Sequence, residues 1–159
     1  MLMLDGTPTV GLPWYLFATV FDRFRPFFWI VLCAHPFLYA VPVAVRFRHR
    51  PRTAFVALLG IVSVFQPYPT LPSLCASLII LVMCMGPPSR RLVVVGSTVV
   101  VAALCILIPV MWYLWIEHGG GNANFLYFQT VALQLAASML ILEFVGSASR
   151  EDVWTSNQA

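Results

Sequence analysis

From Leu92 to Ile116 the chain carries no Asp, Glu, Lys or Arg. About 20 apolar residues suffice for a helix to cross the hydrocarbon of a bilayer, and only there is so long a charge-free run the favoured solution. The rest of the sequence has the same character: of 159 residues 60% are apolar and 9% charged, and mean hydropathy is +0.88. A soluble domain needs roughly a quarter charged residues to face water. An all-α integral membrane protein follows, since helices satisfy their own backbone groups in lipid.

About five spans can be drawn: Phe27 to Val45, Thr53 to Phe65, Leu71 to Met85, Leu92 to Ile116 and Phe125 to Val145. The second and third are short for a crossing. They are joined by Gln66-Pro67-Tyr68-Pro69-Thr70, whose prolines forbid a continuous helix. This pair is a tight hairpin, crossing or re-entrant, and returns the chain to the side it left. Pro36, Pro42 and Pro109 lie inside spans and predict kinks relieved by neighbouring helices. The chain reads as one transmembrane unit without internal repeats, ending in a polar tail (147–159) expected to be flexible and cytosolic.

The net charge of +3 comes from arginine alone. Arg46, Arg48, Arg50 and Arg52 separate spans one and two, Arg90 and Arg91 separate spans three and four, and Arg150 follows span five. Short basic clusters between apolar spans encode membrane orientation, not a nucleic-acid face. Positive charge places these three segments in the cytosol, leaving the Pro67–Thr70 turn, the Glu117–Asn124 loop and the amino-terminal segment on the opposite side despite Arg23 and Arg25. Cys33, Cys75, Cys84 and Cys105 all fall in apolar spans without metal-ligand spacing and read as packing residues. The first residues, MLMLDGTPTVGLPW, lack the basic and apolar regions of a signal peptide.

Three constellations are candidates for function. In the stretch from Trp14 to Phe28, Phe17, Phe21, Phe24 and Phe28 recur at spacings that form one aromatic stripe on a helix. Asp22, Arg23 and Arg25 fall off that stripe, so residues 14–26 predict an amphipathic helix lying in the interface. The stripe serves either as an aromatic belt or packing face, or as a surface that meets lipid acyl chains. The loop Glu117-His118-Gly119-Gly120-Gly121-Asn122-Ala123-Asn124 has glycines that permit close backbone approach, and amides suited to hydroxyls and phosphates. An asparagine there is equally an ordinary helix N-cap. Finally, Glu143 and His35 are ionisable groups inside spans. Glu143 has Arg90, Arg91 and Arg150 as available partners, and a hydrogen bond to a carbonyl would satisfy His35. No Ser/His/Asp, Cys/His or HExxH set and no acidic loop of a metal-dependent sugar transferase is present, so the residues indicate no catalytic group, metal or cofactor.

The run Gly11-Leu12-Pro13-Trp14-Tyr15-Leu16-Phe17, with Phe21, Phe24 and Phe27-Phe28, resembles the aromatic stretch of the PIG-U family of GPI transamidase subunits. Further landmarks agree in order: Tyr39-Ala40-Val41-Pro42, Tyr68-Pro69-Thr70, Pro109-Val110 with Trp112, Leu114-Trp115-Ile116, and Asn122, Asn124-Phe125, Tyr127. The resemblance covers roughly residues 6 to 152 and corresponds to the C-terminal part of a longer polytopic family, whose architecture is similar to that of GPI mannosyltransferases. It implies a multi-pass protein of the endoplasmic reticulum membrane, a non-catalytic subunit that helps recognise the GPI lipid. Its partners would include a cysteine-protease-like catalytic subunit. By the same resemblance Trp14, Phe17, Phe21, Phe24 and Phe28 would meet acyl chains or the helices lining the lipid site, and Asn122 and Asn124 would face the GPI glycan or phosphate from the lumen. Where the family usually has an acidic residue and a methionine before the second Phe, this chain has Thr19-Val20. The competing reading, part of a lipid-linked glycosyltransferase or elongase-like enzyme, requires a catalytic motif upstream. A small transporter is disfavoured by the lack of inverted repeats and buried charge pairs.

Overall fold

The computed structural model describes residues 8–86 and 90–156, with the side chains of 152–156 excepted. Among them are six α-helices: α1 (Pro13–Thr19), α2 (Arg25–Arg46), α3 (Pro51–Phe65), α4 (Leu71–Met83), α5 (Arg91–Ile116) and α6 (Ala123–Ser156). A 3-10 turn, Asp22–Phe24, precedes α2. Three segments are long and apolar enough to cross a membrane, Asp22–Arg46, Arg91–Ile116 and Ala123–Glu151, and α3 and α4 are shorter apolar helices.

Proline marks the helix starts. It occupies the first turn of α1, α2, α3 and α4, where a missing N–H costs nothing. Thr70 caps α4 through its hydroxyl, which accepts from Ser73 N. Pro36 and Pro42 lie within α2 and Pro109 within α5. Helices α5 and α6 pack along each other, α3 and α4 pack against α6, and α2 rests on α3. Ala57 and Gly60 of α3, Leu74 and Leu81 of α4, and Leu133, Ala137 and Leu140 of α6 form the centre. Gly60 permits this close approach, because a Cβ there would lie 2.9 Å from Leu81 Cδ1 and 3.1 Å from Ile141 Cγ1. Helix α2 contributes no buried residue.

Contacts distant in sequence define two ends. At the arginine end Arg50 pairs with Glu151 at 2.8 Å, and Arg46 donates to Ser149 O. There too Glu143, only 7% exposed, accepts from Arg90 N at 2.7 Å and from the Arg150 guanidinium. The carboxylate thus has two of its expected partners. His35 instead bonds the Tyr39 hydroxyl at 2.9 Å, and its ring lies 4.6 Å from Phe65. At the opposite, aromatic end the hairpin turn meets the amino-terminal segment. A Cβ on Gly11 would fall 2.7 Å from Pro69 Cδ, so only glycine fits against that ring.

With 15 and 13 residues, α3 and α4 rise about 22 and 20 Å, short of the ~30 Å hydrocarbon thickness. The space beyond their tip is taken by residues 10–14. Gln134 Nε2 donates to Val10 O at 3.0 Å, and the Trp14 ring reaches Trp115 and Tyr127 near the ends of α5 and α6.

Three expectations are corrected. Residues 14–26 are not one helix: α1 stops at Thr19, and Val20 and Phe21 are extended. Thr19 Oγ1 donates to Tyr15 O and Leu16 O, satisfying the last carbonyls of α1 locally, and β-branched Thr19-Val20 disfavours continuation. The expected tail from Ser147 is helical through Ser156. Its first turns are packed, with Ser147 and Ala148 buried behind Phe144 in helical register, and residues 157–159 lie outside the described region. Of the cysteines expected to be buried, Cys33, Cys75 and Cys105 are half-buried and Cys84 is exposed.

Candidate lipid-recognition site at the aromatic end

Helix α1 is seven residues long and has little intrinsic stability in isolation. What holds it is the burial of Trp14 and Phe17, each 1% exposed. The Trp14 ring meets Tyr15 and Tyr127 edge-on at 5.6 and 5.9 Å, and Trp115 at 6.0 Å. Tyr15 stacks on Tyr127 with centroids 4.2 Å apart and planes 16° from parallel. Aromatic pairs in such geometries contribute about 0.5–1.5 kcal/mol beyond the area they bury. The Tyr15 hydroxyl donates to Asn124 Oδ1 at 2.6 Å, tying the amino-terminal aromatic segment to the start of α6.

The loop between α5 and α6 is shaped for this junction. Gly119, three residues past the end of α5, has φ +63, in the left-handed region. A Cβ on Gly121 would stand 2.9 Å from Trp115 Cβ, so the absence of a side chain lets the loop fold back over that tryptophan. Asn122 caps α6: its Oδ1 accepts from Asn124 N at 2.9 Å. Both asparagine carbonyl oxygens are therefore engaged within the protein. The amide N–H groups remain to be offered outward, a donor pair suited to phosphate or hydroxyl oxygens.

Of the candidate residues, Trp14, Asn122 and Asn124 come together here, with Phe17 buried below. Phe21 and Phe24 do not join them: the chain break after Thr19 leaves them 81% and 52% exposed. Phe28 sits on α2 beside Phe27, ring centroids 5.4 Å apart. The predicted stripe is thus divided between buried Phe17 on α1, exposed Phe21 and Phe24, and half-buried Phe28 on α2. Tyr15, Trp115 and Tyr127, marked in the sequence only as landmarks of the family resemblance, and Gln134, which no pattern marked, also build the site. The three-residue step from Asn124 to Tyr127, neighbours on one helix face, was the available signal. Among the described residues no cluster of His, Cys, Asp or Glu could hold a metal ion. An apolar cleft of about 290 Å³ opens elsewhere, between α4, α5 and α6, lined by residues including Leu78, Val101 and Leu140.

The model of the family described as GPI transamidase subunit PIG-U matches residues 1–133. The chain is 34% identical to the GPI transamidase component GAB1 homolog of Schizosaccharomyces pombe, over 96% of this chain and 37% of that protein. It is 30% identical to the GPI-anchor transamidase component PIGU of Cricetulus griseus and 28% identical to that of Homo sapiens, in each case over 96% of this chain and 35% of the relative. It therefore spans little more than a third of these relatives' length. The family match takes in α1, the Asn122–Asn124 loop and Tyr127 together, and this chain belongs to the PIG-U family of GPI transamidase subunits.

Proposed function

We propose that the chain acts in the endoplasmic reticulum membrane as a non-catalytic part of GPI transamidase. In this reading the aromatic end faces the lumen and helps bind the GPI lipid while another, cysteine-protease-like subunit performs the transfer. The observation that carries the proposal is the Tyr15–Asn124 hydrogen bond. It joins the two sequence elements separately suspected of meeting lipid and glycan, and orients the Asn124 amide beside a stacked pair of tyrosines. An interfacial aromatic floor beneath outward amide donors suits a lipid whose apolar part ends in phosphate and sugar. Trp14 and Phe17 position the floor from within. Exposed Phe21 and Phe24, with half-buried Phe28, would meet acyl chains or partner helices.

The test is a native pull-down of the full chain, tagged at its C-terminus and extracted in mild detergent, followed by a GPI-anchoring assay. Recovery of the cysteine-protease-like subunit, with loss of anchoring in Asn124→Ala but continued assembly, supports the proposal. An abundant, folded bait that brings none of the complex, or an Asn124→Ala variant that assembles and anchors normally, overturns it.

A further inference from the structure

The arginine end carries more cationic charge than the protein uses. Among the described side chains it holds Arg46, Arg48, Arg50, Arg52, Arg90, Arg91 and Arg150 against the carboxylates Glu143 and Glu151. Both acids are engaged: Glu151 pairs with Arg50, and Glu143 with Arg150 and the Arg90 backbone. Arg48, Arg52, Arg90 and Arg91 are all exposed and their guanidinium groups meet no acid among the described residues. Arg48 donates through Nε to the His49 ring at 2.8 Å, which leaves its terminal nitrogens outward. The α2–α3 turn carrying Arg48 is not loose, because Phe47 is buried and Arg50 N donates to Phe47 O at 2.8 Å.

A second, independent feature lies beside these charges. Phe55 stands one turn beyond Arg52 on α3, and Leu92 and Val95 follow Arg91 on α5, all strongly exposed. Residues three and four apart share a helix face, so Arg52 and Arg91 each top an apolar strip running into the membrane, with Arg48 and Arg90 beside them in the preceding turns. An acidic soluble partner would match only the charges, whereas a phospholipid matches both. Arginine forks donate to two phosphate oxygens at once. We propose that this end docks anionic phospholipids of the leaflet it faces. Arg48 and Arg52 on one side and Arg90 and Arg91 on the other hold the headgroup phosphates, and the acyl chains lie along Phe55 and Val95. This surface lies at the opposite end from the GPI site proposed above and does not depend on it.

The experiment is native mass spectrometry of the full chain released from mixed micelles containing dioleoyl phosphatidylserine and dioleoyl phosphatidylcholine. The wild type should retain phosphatidylserine preferentially, and the preference should weaken as salt rises. Each arginine removed in R52Q and R91Q should cost about fivefold in that preference, R52K/R91K should keep most of it, and R23Q at the other end should leave it unchanged. Equal retention of both lipids by the wild type overturns the proposal, even if the Gln variants fail to fold. So does an equal loss in R23Q, or displacement of phosphatidylserine by a polyglutamate peptide, which would give the surface to an acidic protein.

Discussion

Substituting Tyr15 by phenylalanine removes one oxygen and leaves the ring. The stack on Tyr127 at 4.2 Å and the edge contact with Trp14 at 5.6 Å survive, and only the 2.6 Å bond to Asn124 is lost. A neutral hydrogen bond contributes about 0.5–1.5 kcal/mol net, and Asn124 lies at an exposed edge where water can replace the lost donor. The expected cost is therefore about 1 kcal/mol, which in a chain of this size lowers the melting midpoint by roughly 2–4 °C. Replacing Tyr15 by alanine removes the ring contacts as well and should cost at least ~1 kcal/mol more. The decisive measurement is a double-mutant cycle of Tyr15→Phe and Asn124→Ala, followed by thermal unfolding in mild detergent. If the bond joins α1 to α6, Tyr15→Phe should be nearly silent once Asn124 is alanine, giving a coupling of about 1 kcal/mol. Equal losses from Tyr15→Phe in both backgrounds would refute the reasoning.

Asn122→Ala should lower the melting midpoint through a lost helix cap, about 0.5–2 kcal/mol, and Asn122→Asp should restore stability. Restored stability without restored GPI anchoring would separate capping from ligand contact. Glu143→Ala strips the partner from Arg90 N and Arg150 at a nearly buried position and should cost about 1.5–3 kcal/mol. Arg50→Ala breaks a half-exposed pair and should cost under about 1 kcal/mol in the same melt. Gly60→Val places methyl groups against Leu81 and Ile141 and should destabilise the α3–α4–α6 contact by about 1–3 kcal/mol, read as a lower melting midpoint.

The sequence alone determined what solvent and local geometry impose. Charge-free runs can be stable only in lipid, so α2, α5 and α6 were legible as spans. Proline cannot donate or follow a helical residue comfortably, so the turn between α3 and α4 was legible too. Arginine clusters marked segments that the fold gathers at one end, and the pairing of Glu143 with Arg150 was among the alternatives they offered. Asn122 as a helix cap was equally readable, since capping is a contact between near neighbours.

The tertiary structure decided the rest. Tyr15 and Asn124 are separated by 109 positions and Gln134 and Val10 by 124, and no periodicity encodes a bond between them. Helical spacing placed Phe17, Phe21, Phe24 and Phe28 on one stripe only on the assumption that the helix continues. Thr19 ends it by satisfying the preceding carbonyls, and burial of Phe17 then separates it from exposed Phe21. Polar composition made residues after Ser147 look like a tail. Packing behind Phe144 and the ion pairs of Arg150 and Glu151 keep them helical. Local pattern reports which surfaces need burial, and only the assembled chain settles which surface buries them.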